Sequence, residues 1–229
     1  MLDMRRARRR GAILFDLYET LLPDRPQEQR DEVSRRMAAA LGVAPEPFAA
    51  LFRGTTSARM RGEFGTLAET IRTLAYRLGG EPTEQAVRFA EVTRLRFCRE
   101  LLWPPAATLA VLDRLRALGH PLGLVSNCST ETVTLWRGQP LASRFDVAAF
   151  SCLLGAVKPD PVIFLKVCGD LGVAPEDCVF VGDGWGGELN AAAALGMRVI
   201  RTVEYTDGDP GWTGETVRRL GDVPGLLAA

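Results

Sequence analysis

The chain has 229 residues, of which 47% are hydrophobic and 24% are charged, a composition typical of a folded globular protein with one large domain or a domain and an insert. Lys and Arg together number 28, as do Asp and Glu, so no net charge favours a nucleic acid or a membrane as a partner. His120 is the only histidine, which excludes sites built from several histidines. It lies between Gly119 and Pro121, where a predicted helix ends, and we interpret it as a turn residue.

An arginine-rich stretch, residues 5–10, stands near the start of the sequence. The apolar run after it is interrupted by Asp16 and Glu19, so we predict neither a signal peptide nor a membrane helix and interpret the stretch as a solvated tail. The five cysteines are odd in number and form no CxxC pair, which indicates reduced thiols in a cytoplasmic protein.

Short apolar runs that end in polar residues recur along the chain and predict buried parallel strands. The predicted strands are 12–15, 122–125 and 178–181, with weaker ones at 147–150 and 198–200. Helical patterns alternate with them, at 106–118, 129–136, 161–171 and 188–195. This alternation predicts an α/β fold with a doubly wound parallel sheet.

Residues 22–103 break the alternation. They contain predicted helices at 26–41, 66–78 and 82–102 and no clear strand. An all-helical insert that follows the first strand and ends at Pro104-Pro105 indicates a cap that acts as a mobile lid over the strand ends. We therefore predict a catalytic core of residues 1–21 and 104–229 and a helical cap of residues 22–103.

Polar residues follow the predicted strands. Parallel strands end at one edge of a sheet, so we expect Asp16, Ser126, Lys158 and Asp183 to meet there. Lys158 is one of only two lysines among the 28 basic residues, which suggests a role for a compact ammonium group. Asp183 and Glu188 flank a Gly-rich loop and could share one hard cation, for which Mg²⁺ is the natural candidate.

Four motifs, in this order, resemble those of the haloacid dehalogenase superfamily. They are Phe15-Asp16-Leu17-Tyr18-Glu19-Thr20, Val125-Ser126-Asn127, Lys158-Pro159, and Gly182-Asp183-Gly184 followed by Glu188. The resemblance covers nearly the whole chain and includes a helical cap after the first strand. It implies a Rossmann-like core and a hydrolase with an aspartate nucleophile.

The resemblance also implies a role for each motif residue. Asp16 is the expected nucleophile, which forms a covalent ester that water releases. Ser126 and Asn127 are expected at a substrate oxygen, and Lys158 is expected to neutralise the nucleophile and the transferring group. Thr20 is expected to bind substrate.

A magnesium site is implied by the same motifs. Its expected ligands are Asp16, Asp183, Glu188 and the backbone carbonyl of Tyr18. The ion would screen the repulsion between an anionic nucleophile and a phosphate.

Position 18 departs from the phosphatases of this superfamily, which carry there a second Asp that serves as general acid and base. Tyr18 is a poor base at neutral pH, and the adjacent Glu19 is expected to face the opposite way, as neighbouring strand residues do. The Asp-x-Tyr form resembles the 2-haloacid dehalogenases, which need no metal, and Arg53 in the cap resembles their halide-binding Arg. Asp183 with Glu188, however, matches the metal-binding phosphatases.

We expect Mg²⁺-dependent hydrolysis of a small phosphorylated metabolite through an aspartyl-phosphate. Two alternatives stay open: metal-free hydrolysis of 2-haloacids, and a catalytically weakened binding or regulatory protein. The expected partner is a small anionic molecule, and Arg53, Arg59 and Arg61 in the cap suggest an anionic substrate tail. An ordinary solvated charged face accounts for these arginines equally well.

Overall fold

The computed structural model describes residues 11–227. Its centre is one six-stranded sheet with the strand order β3-β2-β1-β4-β5-β6, and all neighbouring strands are parallel. The strands are β1 Ile13–Phe15, β2 Leu122–Ser126, β3 Val147–Phe150, β4 Val179–Gly182, β5 Arg198–Thr202 and β6 Glu215–Val217. The predicted doubly wound α/β fold is confirmed. β6 was not predicted, because this edge strand has three residues and buries only Val217.

Helices connect the strands and cover both faces of the sheet. In the described part of the chain they are α1 Gln27–Leu41, α2 Pro45–Gly54, α3 Thr56–Met60, α4 Leu67–Arg77, α5 Glu84–Leu101, α6 Ala106–Ala117, α7 Thr130–Trp136, α8 Ser151–Leu154, α9 Pro161–Leu171, α10 Glu188–Ala194 and α11 Val223–Leu227. The sequence prediction missed α2, whose first turn contains two prolines. Pro45 is the first helical residue, where a missing N–H costs no hydrogen bond.

β1 is buried on both of its faces. Ile13 and Phe15 pack into one apolar cluster, and Leu14 packs into a second cluster on the opposite face. Side chains alternate along a strand, so a continuous apolar run supplies both layers of the core. This burial fixes the end of β1, and with it the position of Asp16.

Helices α1 to α5 form a unit with an apolar cluster of its own, which includes Met37, Phe48, Ile71 and Leu74. The cap boundaries at residues 22 and 103 stay a prediction. The unit contacts the sheet domain through α5 against α7 and α3 against α8. Next to α3, Gly62 has a φ of +74°, and a Cβ there would lie 2.2 Å from the Cys152 carbonyl oxygen. Only glycine allows so close an approach.

The structure also places the histidine, the cysteines and the other features that the sequence singles out. His120 Nδ1 is 2.8 Å from the Gly11 carbonyl oxygen, at the end of the sheet opposite Asp16. All five cysteines are buried and unpaired. The arginine-rich stretch lies outside the described residues. Within residues 11–227, no helix combines the length and the apolar character needed to cross a membrane.

Candidate active site

The carboxyl ends of the central strands bring the predicted polar residues together. Asp16 follows β1, and its N–H donates to the Val181 carbonyl oxygen at 3.0 Å. Lys158, in the loop before α9, donates from Nζ to Asp16 and to Glu188 Oε2, the latter at 2.6 Å. The site therefore contains a buried ammonium group between two carboxylates.

Asn127 fixes the position of Lys158 through the backbone. Its Nδ2 donates to the Lys158 carbonyl oxygen at 3.2 Å, and its Oδ1 accepts the Lys158 N–H at 2.8 Å. Burial lowers the pKa of Lys158, but the attraction of Asp16 and Glu188 outweighs burial and leaves the pKa raised. Lys158 thus remains a cation in the site.

Asp16, Asp183 and Glu188 form a buried carboxylate cluster. Each offers an oxygen, and these oxygens all lie within 4.8 Å of one another. Burial and the neighbouring Asp16 raise the pKa of Asp183 to about 6, and Asp183 Oδ2 is buried without a hydrogen-bond partner among residues 11–227. An all-oxygen cluster of this charge suits Mg²⁺, which binds carboxylates. These residues therefore fit the expected ion.

The loop between Asp183 and Glu188 brings these two residues together. Gly184, Gly186 and Gly187 all have positive φ angles, of 102°, 68° and 79°, which glycine adopts at little cost. The Gly184 N–H donates to Glu188 Oε1 at 3.2 Å. The glycines between the carboxylates therefore allow the sharp return of the chain on which the cluster depends.

A second loop, between β5 and β6, covers the cluster, and the sequence analysis did not identify it. The Gly208 N–H donates to the Asp183 carbonyl oxygen at 3.2 Å, and a Cβ at Gly208 would lie 2.5 Å from Asp183 Oδ2. Arg201 in β5 holds the loop by donating to Asp207 Oδ1 at 2.7 Å. The only signal in the sequence is Gly208 between two aspartates, a pattern common in ordinary turns.

Two hydroxyls near the strand ends have no hydrogen-bond partner in the described part of the chain. They are Ser126 Oγ, at the end of β2, and Thr20 Oγ1, after β1, and both residues are fully buried. A buried hydroxyl without a partner costs about 1–3 kcal/mol. Neither residue is among those that line the cavity beside Asp16, so the substrate contact predicted for both stays a prediction.

The surroundings of the Tyr18 hydroxyl do not suit a general acid or base. Its hydroxyl lies 2.9 Å from Thr132 Oγ1, and burial together with Cys128 and Cys98 raises its pKa. Glu19 has a φ of +60°, the only positive value of a non-glycine residue among residues 11–227. Because this turn ends the strand alternation, Tyr18 and Glu19 both line the cavity, and the prediction that Glu19 faces away is wrong.

A cavity of about 420 Å³ lies between the strand ends and the cap. Asp16, Lys158 and Asn127 line its inner end, and Arg53 and Arg59 line its cap side. Arg53 is half-exposed and forms an ion pair with Asp31. The volume suits a small molecule.

Comparisons with known proteins identify the family of the chain. The sequence model of the haloacid dehalogenase-like hydrolases matches residues 11–196. The chain is 30% identical over 217 residues to a phosphoglycolate phosphatase of Escherichia coli O157:H7, covering 86% of this chain and 83% of that protein. It is 29% identical over 207 residues to a glyceraldehyde 3-phosphate phosphatase of Methanopyrus kandleri, covering 87% of each.

A solved structure shares the fold. It is a haloacid dehalogenase-type phosphatase of Thermococcus onnurineus, with a TM-score of 0.67 at 23% identity over 95% of this chain and 97% of that one. The ordered motifs, the sheet and the family match lead to one conclusion: the chain is a hydrolase and belongs to the haloacid dehalogenase-like hydrolase family.

Proposed function

We propose that the enzyme is a Mg²⁺-dependent phosphatase that hydrolyses a small phosphomonoester through an aspartyl-phosphate at Asp16. The observation that carries this proposal is the buried cluster of Asp16, Asp183 and Glu188, with oxygens within 4.8 Å of one another. Lys158 offsets only one of the three negative charges. A phosphate dianion can approach such a cluster only after a divalent cation has offset the rest.

The relatives support a phosphate ester as substrate. The phosphatases at 29% and 30% identity act on glyceraldehyde 3-phosphate and phosphoglycolate, which are both small monoesters. The cavity of about 420 Å³ admits substrates of this size. We also propose that residues 22–103 act as a lid and that the enzyme works in a reducing cytoplasm, where its five free thiols persist.

The proposed reaction has two steps. A carboxylate oxygen of Asp16 forms a bond to phosphorus while the bond to the ester oxygen breaks, and that oxygen leaves with the electron pair and takes a proton from water. Water then cleaves the acyl phosphate, which frees inorganic phosphate and the Asp16 carboxylate. Lys158 orients Asp16 and offsets negative charge in both steps. Ser126 and Thr20 keep the predicted role of binding the phosphate oxygens, although neither residue lines the cavity in this structure.

Magnesium has a defined place in this proposal. Asp16, Asp183, Glu188 and the Tyr18 carbonyl would hold it, and when bound it supplies positive charge against the repulsion between nucleophile and phosphate. The Tyr18 phenol, occupied by Thr132, gives no proton to the leaving oxygen. We therefore expect faster turnover of esters whose alcohols are acidic, such as p-nitrophenyl phosphate, than of alkyl phosphates.

Because of the Asp-x-Tyr motif, two alternative functions are also tested: a metal-free dehalogenase and a catalytically weakened binding protein. In a metal-free dehalogenase, Asp183 and Glu188 would repel the carboxylate of a 2-haloacid, which argues against that reaction. A weakened binding protein would keep the ligand contacts without turnover.

The test is phosphate release from p-nitrophenyl phosphate, 2-phosphoglycolate and glyceraldehyde 3-phosphate, with Mg²⁺ and with EDTA. The proposal predicts release that requires Mg²⁺. Chloride release from 2-chloropropionate in EDTA, without phosphate release, would instead establish a dehalogenase. Binding of the esters without turnover would establish a binding protein.

A further inference from the structure

Two arginines of the cap meet one glutamate of the sheet domain beside the cavity. Arg59 lies on α3, Arg94 on α5, and Glu131 in the first turn of α7. Glu131 Oε1 accepts from Arg94 Nε at 3.1 Å and from Arg59 Nη1 at 3.4 Å. All three residues line the cavity that contains Asp16.

This cluster leaves one positive charge without a counter-charge. Two other arginines of the cavity wall, Arg30 and Arg53, each form an ion pair with a carboxylate of their own. Arg59 and Arg94 share Glu131, and no other salt bridge to either is found among residues 11–227. The cap side of the cavity is therefore suited to hold an additional anion.

Arg59 is the arginine of this cluster that has unused hydrogen-bond donors. Its guanidinium carbon lies 4.1 Å from the centre of the Phe52 ring, and Nη2 donates at 3.2 Å to the Phe52 carbonyl and to Thr56 Oγ1. The Nη1 contacts to Ser129 and Glu131, both at 3.4 Å, are long for hydrogen bonds. Nε is buried and has no partner in the described part of the chain. The group is thus fixed in place but incompletely hydrogen-bonded.

The two ends of the cavity differ in charge. The inner end carries the carboxylates around Lys158, which the proposed magnesium would offset, and the cluster of Arg59, Arg94 and Glu131 carries one net positive charge. Glu19 also lines the cavity, but within residues 11–227 it forms no salt bridge with either arginine. A phosphomonoester with a second anionic group would place its phosphate at Asp16 and that group near Arg59. An ester with an uncharged leaving group would have no group to pair with the net positive charge of this cluster.

We propose that Arg59 is a specificity residue that binds a second anionic group, a carboxylate or a phosphate, on the leaving group of the substrate. Glu131 is a positioning residue that holds Arg59 in the cavity wall. This inference rests on the proposed phosphatase function, because it takes Asp16 as the phosphate end of the cavity. It narrows the substrate class to small phosphomonoesters that carry two anionic groups.

The experiment measures binding without turnover. Asp16→Asn with Mg²⁺ is titrated by calorimetry with 2-phosphoglycolate, 1,2-ethanediol bisphosphate and 2-hydroxyethyl phosphate, which carry a carboxylate, a phosphate and a neutral hydroxyl at the same position. We expect one of the two anionic ligands to bind at least tenfold more tightly than the neutral one. The preferred ligand identifies the anionic group.

The variants separate recognition from folding. Arg59→Met, which keeps an apolar chain on Phe52, should weaken the preferred ligand about 10- to 100-fold and leave the neutral ligand unchanged. Arg59→Lys should keep part of the preference, and Glu131→Gln should lose part of it. Arg72→Met is the matched control, because Arg72 pairs with Glu84 on the cap surface, outside the cavity.

Equal binding of the three ligands, or no binding of either anionic ligand, overturns the inference. So does an Arg59→Met variant that weakens charged and neutral ligands alike, since a purely structural role predicts that result. Failure of the phosphatase proposal is a separate result, because it is measured as absent phosphate release by the unmodified enzyme.

Discussion

At position 18 the chain carries a phenol near the proposed nucleophile, Asp16, and the contacts of the phenol explain why it cannot act as general acid or base. The hydroxyl is 2.9 Å from Thr132 Oγ1, and burial raises its pKa. A buried phenol with a raised pKa stays neutral at pH 7 and is a poor base. In the proposed reaction, this residue therefore neither protonates the leaving oxygen nor activates the attacking water.

Tyr18→Asp should supply the missing acid and base. Because general acid–base catalysis contributes about 10²–10⁴-fold, we expect turnover of an alkyl phosphate such as 2-phosphoglycolate to rise by at least about tenfold, and that of p-nitrophenyl phosphate to rise much less. Steady-state phosphate release measures both.

Tyr18→Phe is the comparison, since it removes the same hydroxyl without adding a carboxyl group. If both variants raise turnover equally, relief of packing rather than acid catalysis is the cause. An unchanged or lower rate in Tyr18→Asp contradicts the assignment of position 18 as the missing acid.

At the scale of elements, one buried carboxylate ties two cap helices to a helix of the sheet domain. Burial raises the pKa of Glu131, but Arg94 and Arg59 outweigh burial and lower it from 4.5 to about 2. A lowered pKa in the folded state stabilises the fold above the unfolded pKa. That stabilisation is lost as the pH falls from about 4.5 to about 2.

We therefore expect the free energy of unfolding to fall more steeply with acid in the unmodified enzyme than in Glu131→Gln. Between pH 6 and pH 3 the difference should reach about 2 kcal/mol. Denaturant unfolding at each pH measures it, with Glu84→Gln as a surface control that keeps the unmodified slope. Equal slopes for the unmodified enzyme and Glu131→Gln contradict a charged Glu131 in the folded state.

A second prediction concerns Gly208 in the loop between β5 and β6. A Cβ at Gly208 would lie 2.5 Å from Asp183 Oδ2 and 2.6 Å from the Trp185 backbone nitrogen, so Gly208→Ala must displace the carboxylate or the loop. We expect Mg²⁺ affinity, measured by titration calorimetry, to fall at least about tenfold, because ligands of this ion need near-ideal geometry.

Gly221→Ala is the matched control. A Cβ at Gly221 meets no atom within 4 Å, so its Mg²⁺ affinity should not change. Undiminished affinity in Gly208→Ala would contradict the prediction that close packing of this loop fixes the position of the Asp183 carboxylate.

At the scale of the whole molecule, the parallel sheet and the meeting of Asp16, Lys158, Asp183 and Glu188 were predictable from the sequence. Buried strands are continuous apolar runs, and parallel strands end at one edge, so local patterns determined both. The Gly208 loop was not predictable, because it depends on where a distant segment packs.

The pairing of charged side chains was the other feature that could not be predicted from the sequence. Arg53 and Arg59 are both cap arginines, yet only the folded chain gives Arg53 its own carboxylate and makes Arg59 share Glu131 with Arg94. Glu19 likewise lines the cavity because its backbone adopts a positive φ, which strand alternation does not anticipate.

The proposed mechanism requires that Asp16 becomes phosphorylated. The enzyme is mixed with p-nitrophenyl phosphate and Mg²⁺, quenched in acid within milliseconds, and digested for mass spectrometry. We predict one phosphoryl group on the peptide that contains Asp16. The intermediate should accumulate, because position 18 provides no base for its hydrolysis. The modified peptide should be absent when EDTA replaces Mg²⁺, and it should be absent from the Asp16→Asn variant. Steady phosphate release without a phosphorylated Asp16 would contradict this mechanism.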